Sequence, residues 1–326
     1  MQRPQHLFAF LALAALVAGC DQSIQPLIGE DRPYTLWGFL DANADTQRVR
    51  VFTIEERLGT DRSGPIDAVV TSTDLATSEV TRWTGEEVTF IDSSTGHVFY
   101  AAFRAEFEHS YRLDVRRSDG ATSSASVTIP PPVSVELVDA RNRIVVPVFI
   151  HGRPPNLVDV SVLYDAVTLP PANPWPPGTP ASPGHELAVS VPYSGLEEPT
   201  DDGWYFEVDL RADFAVVQDT YTLNCLSPDH IGLRRIRFRF LAADDQWAPP
   251  GDSFDPNLLI EPGTFSNVEN GFGFFGGGYT VSESWVPTEV VQRSVGFRTS
   301  GPCPLMPLDT PECQVPPEPC FRDTGD

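Results

Sequence analysis

Hydrophobic and polar residues alternate over short segments through most of the chain, as in strands that bury one face. The clearest case is Tyr111–Val115, where Tyr, Leu and Val share one face and charged residues share the other. Similar alternation predicts further strands in the first part of the chain, at Tyr34–Leu40, Arg48–Ile54, Ala68–Thr73, Glu79–Trp83, Val98–Phe103 and Ser124–Ile129. Short strands separated by polar turns predict an antiparallel β-sandwich over residues 34–130.

A second β-rich domain of sandwich type is predicted over residues 133–300, after the stiff segment Pro130–Pro132. Its strands are predicted at Arg143–Ile150, Val158–Leu169, Leu187–Tyr193, Gly203–Leu210, Tyr221–Asn224, Leu233–Leu241, Tyr279–Trp285 and Val290–Phe297. One short helix is predicted at Ala212–Asp219, or alternatively around Ser227–Arg235. Residues 301–326 are predicted to form a tail rich in Pro and Cys. The many predicted strands and the single short helix make the predicted fold class mostly β.

The N-terminal residues have the pattern of an export signal. Arg3 precedes the apolar run Leu7–Ala18, which is too short to span a bilayer. The sequence Val17-Ala18-Gly19-Cys20 then resembles a bacterial lipobox, although an ordinary secretory signal beside a chance Cys is the alternative. We therefore expect a signal peptide over residues 1–19, acylation of Cys20 and a tether over residues 20–33. The protein would be lipid-anchored in the cell envelope, at the outer membrane, on its periplasmic or surface face.

Composition narrows the possible functions. The chain has 45 acidic and 22 basic residues, for a net charge of −23, and every basic residue is Arg. A nucleic-acid-binding domain needs a basic surface, so nucleic acid is not an expected partner. The 32 prolines also exclude a helical bundle.

Four further cysteines, Cys225, Cys303, Cys313 and Cys320, predict two disulfides in an oxidising compartment. Three connectivities are possible, and we favour Cys313–Cys320 with Cys225–Cys303. Their spacing lacks the close Cys pairs of a zinc site.

The segment Gly271–Gly276 matches the dinucleotide motif G-x-G-x-x-G. That motif needs a helix after it, whereas a strand is predicted here, so no cofactor is expected. A glycine-rich hairpin is predicted instead, with Phe272, Phe274 and Phe275 at the edge of the core as candidates for partner contact.

Asp41, Asn43 and Asp45 have the alternate spacing that opens a calcium-binding loop. Thr46 replaces the required Gly, and Phe52 stands at the twelfth position instead of Glu. A polar turn is therefore the expected structure, with calcium binding as the alternative.

Two further surface features are candidates for ligand or partner contact. Arg235, Arg237 and Arg239 alternate with apolar residues, so three guanidinium groups share one sheet face. They could bind an anion or pair with carboxylates of the chain itself, and pairing is the simpler expectation. Trp175 lies in the Pro-rich segment 170–184, where an exposed indole could contact a sugar or a protein.

A motif near the C-terminus carries a family resemblance. The segment Gly263–Gly276 contains the pattern N-x-x-x-G-x-G-x-F and follows Asp252–Pro256. Together with the lipobox, it resembles a large family of uncharacterised Bacteroidota-type envelope lipoproteins. The resemblance implies an Ig-like or carboxypeptidase-regulatory-like N-terminal domain and, in some members, association with an outer-membrane TonB-dependent transporter. It implies no catalytic residue.

We expect a non-catalytic binding or accessory module, held at the membrane by its lipid and serving an outer-membrane transport system. A carbohydrate-binding lipoprotein is the first alternative, and it predicts several aromatic rings with acids on one exposed face. A glycan hydrolase is the second alternative, because Asp201–Asp202 and Asp244–Asp245 are paired acids beside Trp204 and Trp247.

Overall fold

The computed structural model describes residues 32–53, 65–90, 95–168, 186–223, 231–247 and 266–299. Within them the chain forms two helices, α1 (Leu210–Leu223) and α2 (Glu289–Val295), and sixteen strands. The strands are β1 (Tyr34–Asp41), β2 (Gln47–Thr53), β3 (Val69–Asp74), β4 (Val80–Arg82), β5 (Thr84–Thr89), β6 (Thr95–Ala101), β7 (Ser110–Arg116), β8 (Thr122–Thr128), β9 (Ser134–Leu137), β10 (Val145–His151), β11 (Asn156–Thr168), β12 (Glu186–Pro192), β13 (Glu198–Pro199), β14 (Gly203–Asp209), β15 (Ile231–Ala243) and β16 (Gly271–Trp285).

The strands form three sheets, which confirms the prediction of a mostly β fold. The largest sheet has eight strands in the order β12–β11–β15–β16–β1–β2–β6–β5. Two four-stranded sheets have the orders β13–β14–β10–β9 and β4–β3–β7–β8. Neither helix within the described segments is long and apolar enough to cross a membrane.

The eight-stranded sheet contains strands from both segments that the sequence divides at residues 130–133. Its two halves join through β1 and β16, which run parallel from the pair Tyr34↔Gly271 to the pair Asp41↔Gly278. One buried core receives side chains from all three sheets. The largest sheet and the core therefore continue across the Pro130–Pro132 segment, whereas each four-stranded sheet lies wholly on one side of it.

Alternation along the strands explains this core. In β7, Tyr111, Leu113 and Val115 are buried, while the charged residues between them are partly exposed. In β15, Ile236 and Phe238 are buried in the same way. The period of two in the sequence thus becomes the inward face of each sheet.

The glycine-rich hairpin predicted around Gly271–Gly276 is wrong, because these residues begin the single long strand β16. The strand is hydrogen-bonded to β15 and β1, so it lies inside the sheet. A Cβ on Gly277 would lie 2.6 Å from a methyl of Val127, so glycine lets β8 pack closely on this strand. At Gly273, φ is +97° and a Cβ would lie only 2.0 Å from the Leu36 carbonyl oxygen. The glycines therefore permit close packing rather than a turn.

The strand predicted at Val290–Phe297 is also wrong, since this segment contains helix α2. Its β-branched residues favour a strand locally, but Val291 and Val295, four residues apart, are buried on one helical face. Glu289 and Arg293 form an ion pair at the same spacing, 3.0 Å, and Gly296 ends the helix.

Helix α1 is longer than predicted and includes most of the segment expected to form a strand at Tyr221–Asn224. Phe214, Val217 and Tyr221 recur at helical spacing and are all buried. The Asp209 carboxylate accepts a hydrogen bond from the Arg211 amide at the start of the helix, 2.9 Å. Packing of this continuous apolar face outweighs the local strand preference of Tyr and Thr.

Candidate functional site

The outer face of the β13–β14–β10–β9 sheet carries an exposed group of aromatic and acidic side chains. In β10, Val146, Val148 and Ile150 are buried in the core. Phe149 and His151 alternate with them and lie on the opposite face, where both are half-buried. The alternation that builds the core thus also places an aromatic ring toward solvent.

The strand register lines four of these residues up across the sheet. Glu198 is opposite Tyr205, Tyr205 is opposite Phe149, and Phe149 is opposite Glu136. Directly opposite residues share a face, so two rings form the centre of the row and a carboxylate stands at each end. The Phe149 and Tyr205 ring centroids are 5.0 Å apart, and their planes are inclined by 46°. We call Glu136, Phe149, His151, Glu198 and Tyr205 the aromatic–acidic face.

An open hollow of about 440 Å³ lies over this row. This volume is within the range of small-ligand sites. Most of its lining is apolar or aromatic, and Glu198 supplies a carboxylate. The lining residues are Val138, Pro147, Phe149, Glu198, Pro199, Thr200 and Tyr205.

Carboxylates surround the Tyr205 hydroxyl. It donates a hydrogen bond to Glu207 Oε1 at 2.7 Å. This bond, together with burial and the charges of Glu207 and Glu198, raises the pKa of Tyr205 to about 12. The phenol therefore stays protonated at physiological pH and acts as a donor.

His151 connects two acidic side chains from different elements. Its Nδ1 lies 2.9 Å from Asp202 Oδ2, and its Nε2 lies 3.2 Å from Glu136 Oε2. The hydrogen bonds to Asp202 and Glu136 raise the pKa of His151 above its usual value. The imidazole also stacks on Phe149, with 6.3 Å between ring centroids, so it adds a titratable cation beside the aromatic pair.

Two buried carboxyl groups lie away from this face. Asp213 of α1 accepts hydrogen bonds from the hydroxyls of Tyr164 and Tyr193. Burial raises the pKa of Asp213 to about 6, although these bonds lower it. Asp244 is 1% exposed, and burial raises its pKa to about 7 despite a 2.8 Å bond from the Gly277 amide. Its Oδ1 has no hydrogen-bond partner in the part of the chain described here.

The arginines predicted as contact candidates are largely occupied by the chain itself. Arg235 and Arg237 donate to opposite oxygens of Asp165, at 2.7 and 2.6 Å. Burial raises the pKa of Asp165, but these hydrogen bonds outweigh it and hold that pKa below its usual value. Arg239 is exposed on the same face, opposite Ser161. Two of the three arginines, Arg235 and Arg237, are thus paired with a carboxylate of the chain itself, as expected.

The three phenylalanines predicted at the edge of the core have different environments. Phe274 and Phe275 are 1% and 0% exposed, so neither offers a surface for partner contact. Phe274 packs edge-on against Trp247 on the outer side of the large sheet. Phe272 is partly exposed, with the Arg32 guanidinium 5.0 Å from its ring centroid.

The calcium candidates lie at the end of β1 and in the loop to β2, where a polar turn was the default expectation. Asp41 Oδ1 accepts a bond from the Asn43 amide at 2.8 Å, and Asn43 Nδ2 donates to the Thr280 carbonyl. Asp45 lies in the same loop. Among the described residues, no group of three His, Cys, Asp or Glu has a metal-binding arrangement.

Several predicted residues lie outside the described parts of the chain. They are Cys20, Trp175, Cys225, Cys303, Cys313 and Cys320. The predicted lipidation and both disulfides stay predictions.

Sequence reasoning missed the aromatic–acidic face. The predicted strands Arg143–Ile150 and Gly203–Leu210 contain Phe149 and Tyr205 at positions that alternate with core residues. That alternation signals outward-facing rings. It cannot show that the two rings are opposite each other, because this depends on the register between strands.

The fold is that of a mostly β protein whose smaller sheet β13–β14–β10–β9 carries the aromatic–acidic face. Residues 22–229 match the family described as a domain of unknown function (DUF4249). The match includes the whole aromatic–acidic face, and the chain belongs to this family. The matched range ends before the Gly263–Gly276 motif, on which the resemblance to envelope lipoproteins partly rests. No curated protein matches the chain.

Proposed function

We propose that this protein is a lipid-anchored, non-catalytic binding protein of the cell envelope, and that the aromatic–acidic face is its contact surface. The lipobox ending at Cys20 supports the anchor, and the resemblance to envelope lipoproteins supports an accessory role beside an outer-membrane transporter. The observation that carries the proposal is the row of Glu198, Tyr205, Phe149 and Glu136 across the outer face of one sheet.

Phe149 and Tyr205 are half-buried on the outer side of the sheet, so each offers part of its ring to a partner. Tyr is enriched among the residues that dominate binding energy, since it offers a large rigid surface and a hydroxyl. Here the rings of Tyr205 and Phe149 form a central pair with carboxylates around them, and an apolar centre within a polar rim is the usual organisation of a contact surface.

The test is a crosslinking pull-down of the acylated full chain from its native membranes, followed by mass spectrometry. We expect stoichiometric recovery of an outer-membrane barrel. Tyr205→Leu should reduce this recovery, because it removes the ring and hydroxyl while keeping an apolar side chain.

The matched control is Glu283→Gln, which changes an exposed carboxylate of β16 on a different sheet. Recovery without a barrel in several detergents would contradict the accessory role. Equal recovery from the wild type and Tyr205→Leu would contradict the assignment of the surface.

Carbohydrate binding is the second candidate, because two rings and several acids share one exposed face. One ring alone can stack on the apolar face of a sugar, while neighbouring carboxylates accept hydrogen bonds from its hydroxyls. Binding of the acylated chain to a glycan array, reduced by Tyr205→Leu and unchanged by Glu283→Gln, would favour this candidate over the first.

A further inference from the structure

The walls of the hollow are suited to an aliphatic chain. Val138 and Pro147 lie on one side, and Pro199 lies on another. None of these three side chains carries a polar group that a hydroxylated ligand could bind. The walls therefore favour a ligand with a hydrocarbon segment.

The rim of the hollow is suited to a positive charge. Glu198 lines it directly, and Glu207 is held at its edge by the hydrogen bond from the Tyr205 hydroxyl. Both carboxylates are exposed. Arg143 is 3.7 Å from Asp139, and its charge also acts on Tyr205, while Arg153 donates to the Asp201 carbonyl. Among the described residues, neither guanidinium forms an ion pair with the Glu198 carboxylate.

The rings offer faces to a cation but no flat platform. Phe149 and Tyr205 are inclined by 46°, so they do not form the coplanar surface on which a sugar ring stacks. Inclined rings suit a compact cation, because each can present the negative face of its π system to the same charge.

We propose that the hollow binds the side chain of a Lys or Arg residue carried by a partner protein, an inference that rests on the proposed function of this face. Such a side chain has an aliphatic stem for the apolar walls and a cationic head for the rings and carboxylates. The chain contains no Lys, and its net charge of −23 attracts cationic segments from a distance.

The test uses the acylated full chain in detergent and a set of Gly/Ser peptides that differ only at their central residue. The central residue is Lys, Arg or norleucine, which keeps the stem of Lys and lacks its charge. Neutral oligosaccharides form a separate arm. Binding is measured at low and at physiological salt.

We expect the Lys and Arg peptides to bind more tightly than the norleucine peptide, and the difference to shrink as salt rises. Glu198→Gln and Tyr205→Leu should each weaken binding of the Lys peptide about two- to fivefold, the range for exposed ion-pair and cation–π contacts. Glu283→Gln should leave it unchanged. Glu198 is exposed, so its variant keeps the test decisive if Tyr205→Leu folds poorly.

Three results would overturn the inference. Equal binding of norleucine and Lys peptides, still weakened by Tyr205→Leu, would refute a cationic ligand and leave the contact surface in place. Binding of neutral oligosaccharides in preference to all peptides would refute it in favour of carbohydrate. Insensitivity of every probe and of the membrane pull-down to both variants would refute the inference and the proposed function together.

Discussion

Replacing Asp244 by Asn should make the protein more stable at pH 8, and this gain should shrink steadily as the pH falls toward 4. Burial raises the pKa of the Asp244 carboxyl to about 7, from an ordinary value of 3.8. The folded state therefore holds a proton that the unfolded state has lost across most of the range between these two values. Stability from this group is fully present below the unfolded pKa and is lost as the pH rises through the folded pKa.

The size of the effect follows from the difference between the two pKa values. Each unit corresponds to about 1.4 kcal/mol, so the wild type should lose about 4 kcal/mol of unfolding free energy through this group between pH 4 and pH 8. Asn is neutral throughout. Its amide oxygen can accept the Gly277 hydrogen bond now made by Asp244 Oδ2.

The assay is urea unfolding of wild type and variant at fixed ionic strength from pH 4 to pH 8. Other titrating groups, His109 and His151 included, are common to both proteins and cancel in the difference. Glu283→Gln is the control, because it removes an exposed carboxylate whose charge does not contribute to the raised pKa of Asp244. If the unfolding free energies of wild type and Asp244→Asn change with pH in parallel, the reasoning is refuted, since Asp244 then does not take up a proton on folding.

Three further predictions follow from described contacts. Asp213→Ala should lower the unfolding free energy by roughly 2–4 kcal/mol, because it leaves two buried tyrosine hydroxyls without their acceptor, while Asp213→Asn should cost less in the same thermal or urea assay. Gly273→Ala should be far more destabilising than Gly120→Ala, since both glycines have positive φ but only at Gly273 would the Cβ meet a backbone oxygen; similar melting temperatures would contradict this. The pKa of His151, followed by NMR, should lie above its usual value in the wild type and fall in Asp202→Asn. Because the folded-state pKa is raised, the stability that His151 contributes to the wild type is present at acidic pH and is lost as the pH rises through that pKa.

The fold class could be predicted from the sequence because alternation is a local signal. Tyr111–Val115 shows its two faces without any knowledge of its neighbours. The errors arise where tertiary packing decides. The β-branched residues of α2 favour a strand until the buried pair Val291 and Val295 is known. Glycines such as Gly277 indicate a turn until the approach of β8 is known.

The candidate site was harder to predict for the same reason. Phe149 and Tyr205 are 56 positions apart, and only the antiparallel register of β10 with β14 brings their rings together. The cysteine, arginine and glycine patterns are conspicuous in the sequence because their residues are close along the chain. The aromatic–acidic face has no such local signature.

A pull on the chain ahead of Tyr34 would act along β1. A strand at the edge of a sheet can be peeled away one hydrogen bond at a time. In contrast, β1 pairs at eight positions with β16 and at six with β2, so a force along its axis loads both ladders together. If the protein is held by its N-terminal end, drag on its body is resisted by shear at the centre of the largest sheet. The strand nearest the attachment is then among the hardest to extract.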